Sequence, residues 1–208
     1  MTTLKEIVLS AARADSIPEG RSGLWAVKKL RLAKPYEGED NGRRISLPAG
    51  CYTQLFRMTT GSIHRGGECV MHDFPEELRK HLAFMLRARG RVLITGLGLG
   101  CVVRGAMAND AVDSVTVVER DRNVLKLVEP HMPQGRRLQI IKGNALAYVK
   151  TTKEKFDCAW HDLWTDEEAG EPHLQVRHME LICEMTGRVK LQGAWMFPRY
   201  FRRTMDLI

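Results

Sequence analysis

The rhythm of apolar and polar positions changes near residue 90 of this 208-residue chain. Before it, the pattern gives short elements of mixed kind. Leu4 to Ala14 reads as a short helix, and Leu24 to Leu32 alternates apolar with basic residues, as a half-exposed strand does. Glu37 to Arg44 is polar and contains glycine, which reads as a loop. Tyr52 to Thr59 is a second strand candidate, Thr60-Gly61-Ser62 a turn and Glu68 to His72 a returning strand. Together they predict a small antiparallel region. Asp73 then stands where an N-cap belongs, with Pro75, Glu76 and Glu77 in the first turn of a helix reaching about Arg89. Leu78, Leu82, Phe84 and Met85 give that helix its apolar face, and Gly90 ends it.

Beyond Gly90 the apolar runs are short, continuous and regularly spaced. Strands are expected at 91–95, 115–119, 138–142 and 156–160, with helices at about 99–109, 121–129 and 144–150. This alternation predicts a doubly wound, mostly parallel α/β sheet. Glu171 to Met185 reads as a further helix, while Val189 to Pro198 fits either a strand or its continuation. The expected division is a β-rich extension over 1–74 and an α/β domain over 75–208.

Composition narrows the class. Hydrophobic residues make up 44% and charged residues 27%, the balance of a soluble globular protein. No apolar run approaches the ~18 residues a membrane helix needs, so no membrane partner is expected. The N-terminal residues lack the pattern of a cleaved signal, which points to the cytoplasm. Cys51, Cys69, Cys101, Cys158 and Cys183 form no C-x-x-C pair and read as small apolar side chains in a reducing compartment. The net charge of +7 suits either a solvated basic surface or a polyanion, and it keeps nucleic acid among the candidate partners.

The candidate chemistry starts at Arg91 to Gly100. An apolar run, then Gly96-Leu97-Gly98-Leu99-Gly100, then a helix start is the layout of a nucleotide or nucleoside site. Gly96 permits the turn out of the strand, Gly98 lets a ligand approach the backbone, and Gly100 lets the helix pack close. A dinucleotide fingerprint would need its third glycine at Cys101, so the spacing favours S-adenosyl-L-methionine over a dinucleotide. Glu119 ends the next strand, 19 residues past Gly100, where a carboxylate can accept both ribose hydroxyls. Arg120 follows among the cofactor-contacting positions. After the third strand, Asn144 and Ala145 fit either an adenine edge or a helix cap.

The fourth strand leads into Trp160-His161-Asp162-Leu163-Trp164-Thr165-Asp166, at the sheet edge where open α/β folds bind ligands. Asp162 can orient an amine, act as a base or hold the sulfonium end of a cofactor, and His161 can accept a proton near neutral pH. Trp160 and Trp164 can stack a base or a cationic group. The plainer readings are a core Trp160, a helix-capping Asp162 and a solvated His161.

These segments resemble the class I S-adenosylmethionine-dependent methyltransferases over about residues 68–168. The stretch Gly67-Glu68-Cys69-Val70-Met71-His72-Asp73 running into the glycine strand resembles the polyamine (spermidine) synthase branch. Trp160 to Trp164, with Gln192 to Trp195, is most similar to uncharacterised methyltransferase-like proteins of phages and bacteria. The resemblance implies a Rossmann-like methyltransferase fold and a loop of Gly96, Gly98 and Gly100. It further implies a ribose acid at Glu119, an adenine-side Asn144 in place of the usual acid, and a post-strand acid at Asp162. It implies S-adenosyl-L-methionine as cofactor, an acceptor of unspecified kind, and His161 and Asp162 as catalytic candidates.

The chain also departs from the family pattern. It leaves little room for the sheet's last strands, so the sheet is expected to be truncated or completed by a second chain as a homodimer. The branch's paired aspartates are only partly matched, since Asp162 and Asp166 stand four apart. Methyl transfer therefore ranks above aminopropyl transfer, with a non-catalytic cofactor-binding or regulatory protein as a further alternative. No metal site is expected: His173 and His178 stand five apart on a helix, which splays their side chains.

Overall fold

A computed structural model describes residues 2–40, 43–58, 67–163 and 172–195. Its first element is α1 (Leu4–Ala11), started by a capping box in which the Thr3 hydroxyl accepts the Glu6 N–H while the Glu6 carboxylate accepts the Thr3 N–H. Four strands follow as an antiparallel sheet: β1 (Gly20–Ser22), β2 (Trp25–Leu32), β5 (Gly50–Arg57) and β6 (Glu68–His72), in the order β1-β2-β5-β6. The expected antiparallel region is present. The turn expected at Thr60 to Ser62 lies outside the described residues.

The polar stretch expected as a loop is strand over Glu37 to Asp40 and again at Arg43 and Arg44. It belongs to a hairpin of β3 (Tyr36–Asp40) and β4 (Arg43–Leu47). Ile45 and Leu47 turn inward onto Tyr52 and Phe74, and one buried face is enough to hold such a ribbon. The polar residues of the other face concealed its period.

Asp73 is not a helix cap. The N-cap of α2 (Pro75–Arg87) is Phe74, with no side-chain bond, and Pro75 takes the first helical position. The Asp73 carboxylate is fully buried, accepts the N–H groups of Ala14 at 3.0 Å and Thr53 at 2.7 Å, and pairs with Arg13 at 3.2 Å. A buried carboxylate needs such partners, and here they tie α1, β5 and α2 together.

The second sheet is parallel and ordered β11-β10-β7-β8-β9, from β7 (Gly90–Thr95), β8 (Val112–Glu119), β9 (Leu138–Lys142), β10 (Cys158–His161) and β11 (Leu191–Ala194). Within the stretch left open between strand and helix, Leu191–Ala194 is therefore a strand. Between the strands lie α3 (Cys101–Met107), α4 (Arg122–Val128), α5 (Ala145–Thr151) and α6 (Pro172–Met185). Strand parity sorts the core. Val92, Ile94, Val115, Val117, Cys158 and Trp160 face one apolar cluster with α1 to α4, whereas Leu93, Val118 and Ala159 face α5 and α6. Val27 and Leu55 of the antiparallel sheet enter the first cluster, so one core runs across residue 74. Each fully buried aliphatic side chain in it contributes about 1.5–3 kcal/mol. No helix among the described residues is long and apolar enough to cross a membrane.

Candidate functional site

The carboxyl ends of the parallel strands border a cavity of about 540 Å³. β7 leads to it through Gly96 and Gly98, and the bend continues to Gly100; the three φ angles of 89°, 50° and 73° all lie in the left-handed region that favours glycine. A side chain at position 96 would strike the Asp162 carbonyl, and one at 98 would strike the Met71 sulfur. Met71 of β6 rests on the bend, its sulfur accepting the Leu99 N–H at 3.2 Å. Gly98 does permit a close approach, and in this structure the approaching group is Met71. Gly100 caps α3, packs against Met132 and does not border the cavity.

At the end of β8, Glu119 is buried and turned toward the bend. One carboxylate oxygen accepts the Leu97 N–H at 2.8 Å and the other accepts the Asp121 N–H at 2.7 Å. Asp121 in turn caps α4 through the Asn123 N–H and accepts the Trp25 indole N–H at 2.7 Å. The antiparallel sheet thus helps to fix the loop behind Glu119. Asn144 caps α5 by accepting the Ala147 N–H at 3.0 Å, and it borders the cavity as well.

Gly96, Gly98, Glu119, Arg120, Asn144, Ala145 and Asp162 all line this one cavity. Trp164 and Asp166 lie outside the described residues. His161 is placed differently. Its ring is fully buried beneath the edge, with Nδ1 3.0 Å from the Thr95 hydroxyl, and it does not border the cavity. Burial pushes its pKa down to about 4, against the upward pull of a hydrogen bond with Gln192. The geometry corrects the proton-acceptor role expected of His161: strand alternation sends residue 161 under the sheet while residue 162 emerges above. Trp160 points into the core beside Phe84 and His81, in keeping with its plainer reading.

Asp162 is half-buried and lines the cavity. Burial raises its pKa to about 6, His81 opposes the rise, the charges of Glu77 and Glu119 add to it, and the Trp160 indole opposes it again.

Sequence reasoning missed Glu77, which it took for a first-turn helix acid. Its carboxylate is buried, lines the cavity, and accepts the Trp195 indole N–H at 2.8 Å and the Lys80 ammonium at 2.5 Å. Burial works against its charge, but His81, at 3.5 Å, and Lys80 prevail and hold its pKa down to about 2. The spacing of Glu77, Lys80 and His81 at i, i+3 and i+4 was the available signal. Trp25, Arg57 and Met71 were missed too, because they reach the cavity from the other sheet.

Glu77, Glu119, Asp121, Asp162 and Glu180 face the cavity against Arg57 and Arg120, so its lining is acidic in a chain of net charge +7. Among the described residues no group of three His, Cys, Asp or Glu side chains is placed to hold a metal.

A parallel sheet of this strand order, with a glycine bend after its central strand and an acid ending the next, is a Rossmann-like α/β fold of the kind class I methyltransferases have. Within it, residues 73–188 match the spermine/spermidine synthase domain, and the chain belongs to that family, the polyamine synthase-like branch. A polyamine aminopropyltransferase of Buchnera aphidicola (from Schizaphis graminum) is 36% identical over 73 residues, covering 32% of this chain and 26% of that protein. Polyamine aminopropyltransferase 2 of Hyperthermus butylicus is 25% identical over 130 residues, covering 59% of this chain and 42% of that one. The chain thus spans less than half the length of either relative. The spermidine synthase of Thermotoga maritima superimposes with a TM-score of 0.38 at 19% identity, covering 69% of this chain and 55% of that structure.

Proposed function

We propose that this protein is a transferase that binds an adenosyl sulfonium in the cavity and passes an alkyl group from it to an amine. The observation that carries this reading is Glu119: its carboxylate is pinned by two backbone N–H groups at the glycine bend and faces the cavity that Asp162 also lines. The residues fit the group. Gly96 and Gly98 of the left-handed bend border the cavity beside Met71, Glu119 retains lone pairs for ribose hydroxyls, and Asn144 and Ala145 line the same cavity where an adenine edge would need polar partners. When bound, the sulfonium supplies an electrophilic carbon and leaves as a neutral thioether, keeping the electron pair of the broken C–S bond. Asp162 takes the proton of the incoming ammonium and so frees the nitrogen lone pair that forms the new C–N bond. The rest of the site supplies proximity and alignment.

The acidic lining around Asp162 favours a cationic acceptor. With the family match it brings aminopropyl transfer from the decarboxylated cofactor ahead of methyl transfer. Nucleic acid fits this lining poorly. Arg57 and Arg120 favour the second reading, methyl transfer, because guanidinium groups suit the carboxylate that S-adenosylmethionine carries and its decarboxylated relative lacks. Calorimetric titration with each cofactor, followed by mass spectrometry of product with putrescine, separates the two. Aminopropyl transfer expects tighter binding of the decarboxylated form and a spermidine product. A cofactor that fails to bind at millimolar concentration in both forms removes the proposal.

A further inference from the structure

Glu77 is a carboxylate that neither helix capping nor the adenosyl site accounts for. The α2 cap is Phe74, Glu76 also supplies charge to the first turn, and the ribose contact of the proposed site falls to Glu119, pinned at the glycine bend by the Leu97 N–H. Burying a charge costs several kcal/mol unless neighbours compensate. Here they converge from two directions: Lys80 and His81 from the same helix, and Trp195 from the end of β11, 118 residues away. Trp195 and His81 approach one oxygen and Lys80 the other, which leaves accepting capacity on the Lys80-bound oxygen of a carboxylate that borders the cavity.

We propose that Glu77 is the acceptor-positioning carboxylate of this site, holding the acceptor ammonium at the Asp162 end of the cavity. This rests on the reading of the cavity as an adenosyl-sulfonium transferase site. The two acids divide the work. Glu77 stays ionised through its fixed donors and keeps the cation in place, while Asp162 exchanges the proton. Glu77 also acts on its partner, because its charge is one of the influences that raise the Asp162 pKa, alongside Glu119 and against His81.

The test compares the native protein with Glu77→Gln, each saturated with 5′-methylthioadenosine and titrated calorimetrically with putrescine. Glutamine still offers an oxygen to the Trp195 indole, so a purely structural role survives the change while the charge does not. Putrescine affinity is expected to fall about tenfold or more, with 5′-methylthioadenosine affinity unchanged within about twofold. In carbon-13 spectra of labelled aspartate, Asp162 should titrate below its native value of about 6, since one negative neighbour is gone and Glu119 and His81 remain. Equal putrescine affinity in the two proteins overturns the proposal, as does absence of putrescine binding to the native one. Failure of 5′-methylthioadenosine to bind instead strikes the reading of the site. Should Glu77→Gln not fold, Glu77→Asp keeps the charge but withdraws it by one methylene. An intermediate loss of putrescine affinity is then expected, and unchanged affinity again overturns the proposal.

Discussion

Glu119 and Asp162 occupy equivalent places, each where a strand of the parallel sheet meets the cavity, yet their surroundings differ. Glu119 receives two backbone N–H groups, one on each oxygen, from Leu97 and Asp121. Asp162 lies among carboxylates, and burial raises its pKa to about 6. A carboxylate held by amides is a fixed acceptor of hydroxyl groups. One crowded by burial and like charge is a carrier of protons. On the proposed function, this contrast divides the cavity into a binding end and a reacting end.

The strongest way to break this division is to close the binding end alone. Gly98→Val places a β-branched side chain at a φ of 50° and against the Met71 sulfur. The left-handed conformation alone costs about 1–2 kcal/mol for a residue with a Cβ, which a core of this size survives. Cofactor affinity should fall by about two orders of magnitude or more in calorimetry, with circular dichroism showing a folded protein. Native-like affinity would mean that the bend is not the adenosyl side.

The next effect sharpens the contrast by exchanging charge for neutrality at each end. Glu119→Gln should weaken cofactor binding by about 10–100-fold, the worth of a charge-assisted hydrogen bond, and change saturated turnover little. Asp162→Asn should leave cofactor affinity within about threefold and lower turnover by about 10²–10⁴. In the native protein, turnover should rise with pH up to about 6 and level off above it, as Asp162 loses its proton. Stopped assays across pH 4 to 8 read this directly. If both variants lost affinity and turnover together, the two ends would not be separate.

How much of this was legible follows from distance along the chain. The parallel sheet was readable because its strands are buried on both faces and appear as continuous apolar runs, such as Val92-Leu93-Ile94. Gly96, Gly98 and Glu119 were readable because the loop's chemistry is local. Asp73 misled because it keeps the company of Ala14 and Thr53, 59 and 20 residues away, and no local pattern announces such partners. Glu77 was passed over for the same reason, its indole donor being 118 residues distant. His161 was a different failure. Parity within β10 already opposed it to its neighbours, and a strict count of alternation would have sent it under the sheet.

The smallest expected effect concerns that buried neighbour and tests whether parity separates His161 from the chemistry. His161→Phe removes the partner of the Thr95 hydroxyl and of Gln192, and should cost about 1–3 kcal/mol of stability while changing turnover less than about threefold. Its clearest signature lies in the pH dependence of unfolding. The folded-state pKa of His161 is depressed from 6.5 to about 4, so the folded protein binds fewer protons than the unfolded chain between those values, and stability from this group grows as pH rises. The Asp162 value is raised from 3.8 to about 6, so its contribution declines as pH rises over nearly the same window. The two slopes oppose each other in the native protein. His161→Phe should uncover the decline and Asp162→Asn the rise, read from urea midpoints between pH 4 and 6. If His161→Phe left the slope unchanged, the ring would not be held neutral beneath the sheet, and its separation from the reacting end would have to be abandoned.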